Sequence, residues 1–307
     1  WKAGFIIMLE LVIIGGGPAG VTAAIYAARK RIDFVMVTQD IGGQTAWSAD
    51  VENYTGYQFI SGLELVKKFE EHLKQFDIKL RKNEDVVRIK KTALGFLTET
   101  KKSTFESRSV LIASGRRPRL LNVPGEETFK SRGVTYCATC DGPVFANKTV
   151  AVIGGGNSAL DATLQLINIA DKVYLINAAP KLSADAIMCQ KALTSPKVEV
   201  INKAVVKEIY GKQFVEGIKL DVNGALRDLP LKGIFIEIGS APNSDIIDFV
   251  DKNDSNEIVI DQSNRTSASG VFAAGDVTNV PEKQIVVAAG EGAKAILGIF
   301  KYLMTLS

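Results

Sequence analysis

Leu11-Val12-Ile13-Ile14-Gly15-Gly16-Gly17-Pro18-Ala19-Gly20 is a short apolar run that ends in a GxGxxG turn. The Ala-rich stretch Val21 to Arg29 and a second apolar run, Phe34 to Val37, follow it. Strand, glycine turn, helix, strand in that order reads as a dinucleotide-binding unit. The glycines serve a tight turn, close approach of a pyrophosphate to the backbone, and close packing of helix on strand. The helix N-terminus supplies unpaired N–H groups and the positive end of a dipole. The same order recurs at Ala151 to Ile153, Gly154-Gly155-Gly156-Asn157-Ser158-Ala159, a helix from about Leu160, and Val173 to Ile176. The copies register at one offset of 139 residues (15 to 154, 17 to 156, 20 to 159, 34 to 173). One glycine fingerprint is weak evidence, but two at constant register, each between strand and helix, predict an α/β chain with two Rossmann-like dinucleotide-binding domains.

A third signal is Gly270 to Asp276, GVFAAGD, followed by Lys283, Gln284 and an apolar helical run from Ile285 to Leu303. A carboxylate at a strand end beside a glycine turn can accept hydrogen bonds from sugar-like hydroxyls. Its place about 120 residues beyond the second fingerprint suggests that the chain returns to complete the first domain. The second domain is then inserted into the first, which predicts boundaries at 1–120, 121–242 and 243–307. The crossings are expected near Asn122 to Glu126 and Ala241 to Ser244, both turn-like in composition.

Between the first crossing and the second fingerprint lies Cys137-Ala138-Thr139-Cys140-Asp141. A CxxC in such a chain reads as a dithiol/disulfide couple, since two intervening residues suit one helical turn. A zinc site would need further ligands, and the chain offers only Cys189 and His72 besides, so no metal is expected. Asp141 has the position of an acid that protonates a leaving thiolate, and equally that of an ordinary helix carboxylate. The single histidine, His72, lies beside the apolar stripe Val66, Phe69, Leu73 and Phe76 among charged neighbours, as a surface helix residue would. With no other histidine in the chain, proton transfer points toward Asp141.

The chain's 307 residues are enough for two domains of ordinary size, and 46% hydrophobic with 23% charged residues is a globular composition. Lys plus Arg number 37 against 34 Asp plus Glu, without blocks of like charge, which gives no electrostatic case for nucleic acid. The apolar run near the N-terminus is broken by Glu10 and falls short of the ~18 residues that a membrane helix needs. Three cysteines make no secreted disulfide framework, so a cytoplasmic location is expected. Trp1 to Ile7 read as an extension ahead of Met8 and carry no motif.

Taken together, GGGPAG, IGGQ (Ile41 to Gln44), VENYTG (Val51 to Gly56), ASG (Ala113 to Gly115), CATCDG, GGGNSA and GVFAAGD resemble, in order, the low-molecular-weight thioredoxin reductases, over essentially all of Met8 to Leu306. The stretches APKLSAD (Ala179 to Asp185) and VPEKQIVVAAGEGAKA (Val280 to Ala295) are more similar still to the flavoprotein subunit of alkyl hydroperoxide reductase. That subunit has an additional N-terminal thioredoxin-like domain, which this chain is expected to lack. The resemblance implies an FAD domain from both chain ends and an inserted nicotinamide-type domain bearing the cysteines. It implies that Gly15, Gly17 and Gly20, with Pro18 and Ala19, cradle the pyrophosphate. Gly43, Gln44 and Asn53 would lie by the flavin and its ribityl chain, with Ala113, Gly115 and Gly275 in the same site. Asp276 would hold a ribityl hydroxyl, and Lys283, Gln284 and Ile285 would meet the isoalloxazine edge. Cys140 would face the flavin, Cys137 would attack the partner disulfide, and Asp141 would donate the proton. The family alternates these contacts by rotating one domain against the other. A thioredoxin or thioredoxin-like partner and a homodimer follow by the same resemblance.

Two departures from the family pattern stand out. After Val37 come Thr38 and Gln39, with Asp40 late, where an acidic residue would bind the adenosine ribose. After Ile176 come Asn177, Ala178, Ala179 and Pro180, with no arginine from Thr149 to Phe214, where NADPH-dependent members hold the 2′-phosphate with a basic cluster. A phosphate dianion then forfeits charge-assisted hydrogen bonds worth ~1.5 to 3 kcal/mol each, so NADPH is a doubtful donor. An NADH site at Gly154, Gly156, Asn157, Ser158 and Ala159 stays open, as does reduced ferredoxin. The resulting expectation is an FAD-dependent disulfide reductase acting on thioredoxin or a relative. The rivals are an NADH-dependent flavoprotein of a peroxide system and a flavin dithiol oxidase.

Overall fold

The run Leu9–Ile14 is apolar on both faces apart from Glu10, and a strand of that kind is stable only with both sides of its sheet covered. It is the central strand β1 of a parallel sheet in the computed structural model, which describes residues 8–306 except 48–50, Glu52 and Ser131, with only the backbone of Trp47, Thr139 and Cys140. The stretch Trp1 to Ile7 therefore lies outside the described residues. The chain forms two units, one from the residues up to Trp47, Val51–Arg117 and Ala241 onward, the other from Pro118–Ser240.

In the first unit β1 is followed by α1 (Pro18–Arg29), β2 (Phe34–Val37), a 3-10 turn at Gly43–Trp47, α2 (Gly62–Leu73) and β3 (Lys79–Arg81). An antiparallel pair, β4 (Val86–Lys91) and β5 (Phe96–Thr100), leads into β6 (Thr104–Ile112). α1 can lie close to the sheet because Ala23, Ala24 and Ala27 on its inner side are fully buried and small. α2 starts at a capping box in which Ser61 Oγ accepts the Glu64 N–H and Glu64 accepts the Ser61 N–H. His72 is exposed on this helix, its ring 6.0 Å from that of Phe76.

β7 (Arg116–Pro118) carries the chain into the second unit. There follow β8 (Val134–Thr135), α3 (Ala138–Asp141), β9 (Thr149–Ile153), α4 (Asn157–Leu166), β10 (Lys172–Asn177), α5 (Ala186–Thr194) and β11 (Val198–Asn202). A three-stranded antiparallel sheet, β12 (Ala204–Gly211), β13 (Val215–Val222) and β14 (Ala225–Pro230), precedes β15 (Gly233–Ile236). β11, β10, β9, β15 and β8 lie side by side in that order, every neighbouring pair parallel. The turn Asn122–Glu126 belongs to this unit and is held by the Glu126 carboxylate, which accepts the N–H groups of Leu121 and Asn122 and the Tyr136 hydroxyl. β16 (Ser240–Pro242), which pairs with β7, returns the chain, and β17 (Val271–Ala273) and α6 (Ile285–Met304) complete the first unit.

β6 is long enough to pair in both senses within one seven-stranded sheet. Thr104 to Ser107 pair antiparallel with β5, while Val110 to Ile112 pair in parallel with both β1 and β17. Side chains of the parallel strands alternate between two cores. In the first unit Leu11, Ile13, Met36 and Leu111 face one layer, and Val12, Ile14, Val35 and Val110 the other. In the second, Ala151, Ile153 and Ile234 oppose Val150, Val152 and Phe235 in the same way. The fold is α/β with two Rossmann-like parallel sheets.

Candidate active site

In the first unit the glycine turn joins β1 to α1, and each glycine has its own reason. Gly15 adopts φ +111°, and a Cβ there would stand 2.2 Å from the Ala113 carbonyl oxygen. A Cβ on Gly20 would stand 2.0 Å from the Gly15 carbonyl oxygen. Gly17 differs: a Cβ on it would meet nothing within 4 Å. Gly17 is also the N-cap of α1, with no side-chain cap, no acidic residue in the first turn and Pro18 at the first helical position. A tight turn with one open face against an uncapped helix N-terminus fits a pyrophosphate. A Cβ on Gly43 would stand 3.5 Å from the Gly17 Cα, and the Gly43 N–H donates to Asp40 Oδ1 at 3.0 Å. Asp40 thus fixes the loop beside the glycine turn.

Around this turn the fold gathers residues from distant sequence. Asn53 Nδ2 donates to Gln284 Oε1 at 3.1 Å, and Gln44 Nε2 to the Arg116 carbonyl at 2.8 Å. Gly115, at φ +66°, has open space on its Cβ side, and its carbonyl accepts the Asn243 N–H. Gly275, at φ +76°, packs against Ala19, and a Cβ on Gly292 would stand 2.1 Å from the Ala19 carbonyl oxygen, so α6 crosses α1 closely there. Asp276 is half-buried, and burial pushes its carboxyl above the usual range, while the charges of Lys283 and Arg116 draw it back. Lys283 Nζ lies 3.0 Å from Glu257 Oε1 and Arg116 Nη1 2.5 Å from the same oxygen. For Glu257 the upward push of burial is outweighed by the Asn253 hydrogen bond, Lys283 and Arg116, so its carboxyl sits below the ordinary range. The structure brings the sequence-expected Lys283 and Asp276 together with Arg116 and Glu257, whose residue types are most often solvated and which no local motif marks.

In the second unit Cys137 precedes α3, the single turn Ala138–Asp141. The side chain of Cys140 lies outside the described residues. Cys137 donates its backbone N–H to Thr135 Oγ1 at 3.2 Å, and the Thr135 hydroxyl donates to Asp141 Oδ2. Burial raises the Asp141 carboxyl above its ordinary value, partly countered by that Thr135 bond. A second raised carboxyl belongs to the same unit. Glu237 follows β15, and its backbone N–H donates to the Ile153 carbonyl at 2.8 Å. Burial pushes its carboxyl up to about 7, with the Ala138 backbone opposing and the Asp161 charge adding to the rise. Sequence reading missed Glu237; the signal was a lone carboxylate inside the apolar run Gly233-Ile-Phe-Ile-Glu-Ile238. Cys189 is a free thiol on α5. Among the described residues no group of three His, Cys, Asp or Glu side chains is placed to hold a metal ion.

The second glycine turn repeats the first with one change. Gly154 adopts φ +145° with the Glu237 carbonyl 2.3 Å from where its Cβ would be, and Gly156 caps α4 without side-chain help. Ala159 is buried, whereas Asn157 and Ser158 are exposed on the first turn. Asn177, at the end of β10, is buried and fully engaged. Its Nδ2 donates to Asn202 Oδ1 at 2.9 Å and the Ala179 carbonyl at 3.1 Å, and its Oδ1 accepts the Ala179 N–H at 3.1 Å. The loop that follows folds back onto the turn, with the Ser183 N–H on the Gly155 carbonyl at 2.8 Å and the Asp185 N–H on Asn157 Oδ1 at 2.9 Å. The place where a basic cluster or an acidic residue would receive the adenosine ribose is thus filled by internal hydrogen bonds.

Residues 9–292 match the pyridine nucleotide-disulphide oxidoreductase family. Thioredoxin reductase from Streptococcus pyogenes MGAS5005 superposes with a TM-score of 0.82 at 37% identity, over 98% of this chain and 99% of that one. The chain is 39% identical over 298 residues to an NADH dehydrogenase of Bacillus subtilis strain 168, and 40% identical over 305 residues to an alkyl hydroperoxide reductase subunit of Pseudomonas putida. These matches take in 96% and 97% of this chain but 58% and 59% of the two relatives, so the chain spans under two thirds of their length. Two parallel dinucleotide-type sheets with this match over nearly the whole chain place the protein in the pyridine nucleotide-disulphide oxidoreductase family, a class of flavin-dependent enzymes.

Proposed function

We propose that the chain is an FAD-dependent disulfide reductase in which Cys137 and Cys140 form the redox pair and a thioredoxin or thioredoxin-like protein receives the reducing equivalents. Bound FAD supplies a two-electron carrier between an external donor and the cysteine pair. The α1 turn at Gly15, Gly17, Pro18, Ala19 and Gly20 would hold its pyrophosphate. Gly43, Gln44, Asn53, Ala113, Gly115, Gly275 and Asp276, with Lys283, Gln284 and Ile285, would hold the remainder.

The observation that carries the reading is Asp141. It is half-buried, bonded to Thr135, raised in pKa and next to Cys140 on a one-turn helix. A carboxyl that keeps its proton more readily than a solvated one is suited to protonate the thiolate that leaves when the disulfide opens. Cys137, preceding that helix, is then the sulfur that attacks the partner disulfide, with exchange running through a mixed disulfide.

NADH is favoured over NADPH as the donor. Asn177 is consumed by its own loop, no arginine occurs from Thr149 to Phe214, and a similar protein is named an NADH dehydrogenase. A second reading, an NADH-dependent flavoprotein of a peroxide system, is favoured by the 40% identity to the hydroperoxide reductase relative. Anaerobic titration of the flavin-loaded protein with NADH, NADPH and reduced ferredoxin in turn, following the flavin's visible band, tests the donor. Rapid bleaching by NADH is expected, and bleaching by ferredoxin alone would overturn the nicotinamide assignment. Cys140→Ser should abolish disulfide reduction with FAD still bound; retained turnover would overturn the cysteine assignment. Fast oxygen consumption with a small dithiol, without reduction of thioredoxin, would replace the reductase reading by an oxidase.

A further inference from the structure

Arg116, Glu257 and Lys283 come from three separate places in the chain and meet on one oxygen of the first unit. Arg116 Nη1 stands 2.5 Å and Lys283 Nζ 3.0 Å from Glu257 Oε1. The other carboxylate oxygen accepts Asn253 Nδ2 at 2.7 Å, and Lys283 Nζ also donates to the Thr278 carbonyl at 2.5 Å. The Arg116 and Glu257 side chains are 14% exposed and that of Lys283 25%. Ion pairs so far withdrawn from water lose much of their Coulomb gain to desolvation, so stability alone is a weak reason for the cluster.

Each member of the cluster is tied to the surroundings of the α1 glycine turn. The Arg116 carbonyl accepts Gln44 Nε2 at 2.8 Å, and Gln44 follows Gly43, where a Cβ would stand 3.5 Å from the Gly17 Cα. Ile258, next to Glu257, donates its N–H to the Val277 carbonyl at 2.9 Å, directly after Asp276. On the other side of Asp276, a Cβ on Gly275 would stand 3.0 Å from the Ala19 Cβ in the first turn of α1. Lys283 precedes Gln284, which caps α6 and accepts Asn53 Nδ2 at 3.1 Å.

We propose that Glu257 is a positioning residue of the flavin site: as the shared counter-ion of Arg116 and Lys283 it fixes both cations and sets the net positive charge that a bound flavin meets, and with it the flavin's reduction potential. The inference rests on the reading of the first unit's site as an FAD site.

Two cations against one carboxylate leave one net positive charge in the cluster. Both cations reach beyond it, since the titration of Asp276 responds to Lys283 and to Arg116. Positive charge near a flavin favours the form that holds the added electrons. Glu257 offsets half of that charge and, through its two ion pairs, keeps the other half in one place. Without the Glu257 charge, Arg116 and Lys283 face the site with no carboxylate between them.

The test uses the full FAD-loaded chain carrying Cys137→Ser and Cys140→Ser, so that the flavin is titrated without the proposed cysteine pair. Its midpoint potential is read by equilibration with a reference dye. Glu257→Gln should change the reduced-to-oxidised ratio at fixed potential about threefold to tenfold toward reduced flavin, an upward shift of about 14 to 30 mV. Lys283→Gln should shift the potential downward by a similar factor. The double variant Glu257→Gln/Lys283→Gln loses one charge of each sign and should return to within about threefold of the parent ratio. A role confined to holding loops predicts the reverse order, with the double variant, which lacks the most contacts, furthest from the parent. An unmoved potential in Glu257→Gln, or a double variant displaced further than either single one, would overturn the proposal. If Glu257→Gln does not fold, an unmoved potential in Lys283→Gln overturns it equally. A parent chain that retains no FAD overturns the reading of the site itself, and FAD retained at an unmoved potential overturns only the role of Glu257.

Discussion

Asn53 and Gln284 lie 231 residues apart and join their side-chain amides through a 3.1 Å hydrogen bond. The bond ties the loop before α2 to the residue that caps α6, so both ends of the chain contribute to one wall of the first unit's site. Neither residue is marked by an apolar pattern, and both are exposed, so burial of apolar surface does not account for their pairing.

If that wall holds the flavin, Asn53→Ala and Gln284→Ala should each weaken FAD binding by about threefold to tenfold. Their effects should be coupled by about 0.5 to 1.5 kcal/mol in a double-mutant cycle. Flavin release on dilution, followed by fluorescence, measures both. Strictly additive losses would separate the two residues.

The glycine turn holds two different steric surroundings within three residues. Gly15→Ala forces a Cβ to 2.2 Å from a backbone oxygen at φ +111°, and should lower stability by about 2 kcal/mol or more. Gly17→Ala meets no protein atom within 4 Å and should change stability by only about 0.5 to 1 kcal/mol, while flavin content falls sharply. Urea melts of the apoproteins and the ratio of visible to ultraviolet absorbance of the holoproteins distinguish the two effects.

Asn177 explains a departure from the usual nucleotide pattern. Its Nδ2 faces two acceptors, Asn202 Oδ1 and the Ala179 carbonyl, which a carboxylate would repel. Asn177→Asp should therefore destabilise the protein by about 1 to 3 kcal/mol rather than create a ribose site. Chemical denaturation together with NADH titration checks this; a stable variant with tighter NADH binding would contradict it.

Glu237 makes stability depend on pH. Its carboxyl is raised from 4.5 to about 7 by burial, so its contribution is fully present below the unfolded value and is lost as pH rises through 7. Between pH 5 and 8 the wild type should lose about 2 kcal/mol that Glu237→Gln retains. Thermal midpoints across that range give the comparison, and parallel curves would contradict it.

The two Rossmann-like sheets were legible because glycine turns and apolar strands are local signals repeated at one register. The return of the chain through Gly275 and Asp276 was legible for the same reason. The two roles of β6 were not, since one continuous run from Thr104 to Ile112 pairs with antiparallel β5 at one end and parallel β1 and β17 at the other. Nor were Arg116 and Glu257, which become a half-screened ion pair only when residues 141 apart meet. The missing acidic residue after β10 was visible as an absence, but its cause was not, because it lies in Asn202, a strand away.

Reductive titration of the flavin-loaded protein with dithionite tests the central claim most directly. A flavin plus one disulfide takes about four electron equivalents per chain, and the flavin alone takes about two. The wild type should consume about four, and a Cys137→Ser/Cys140→Ser variant about two with its flavin retained. Consumption of only about two by the oxidised wild type would contradict a redox-active cysteine pair.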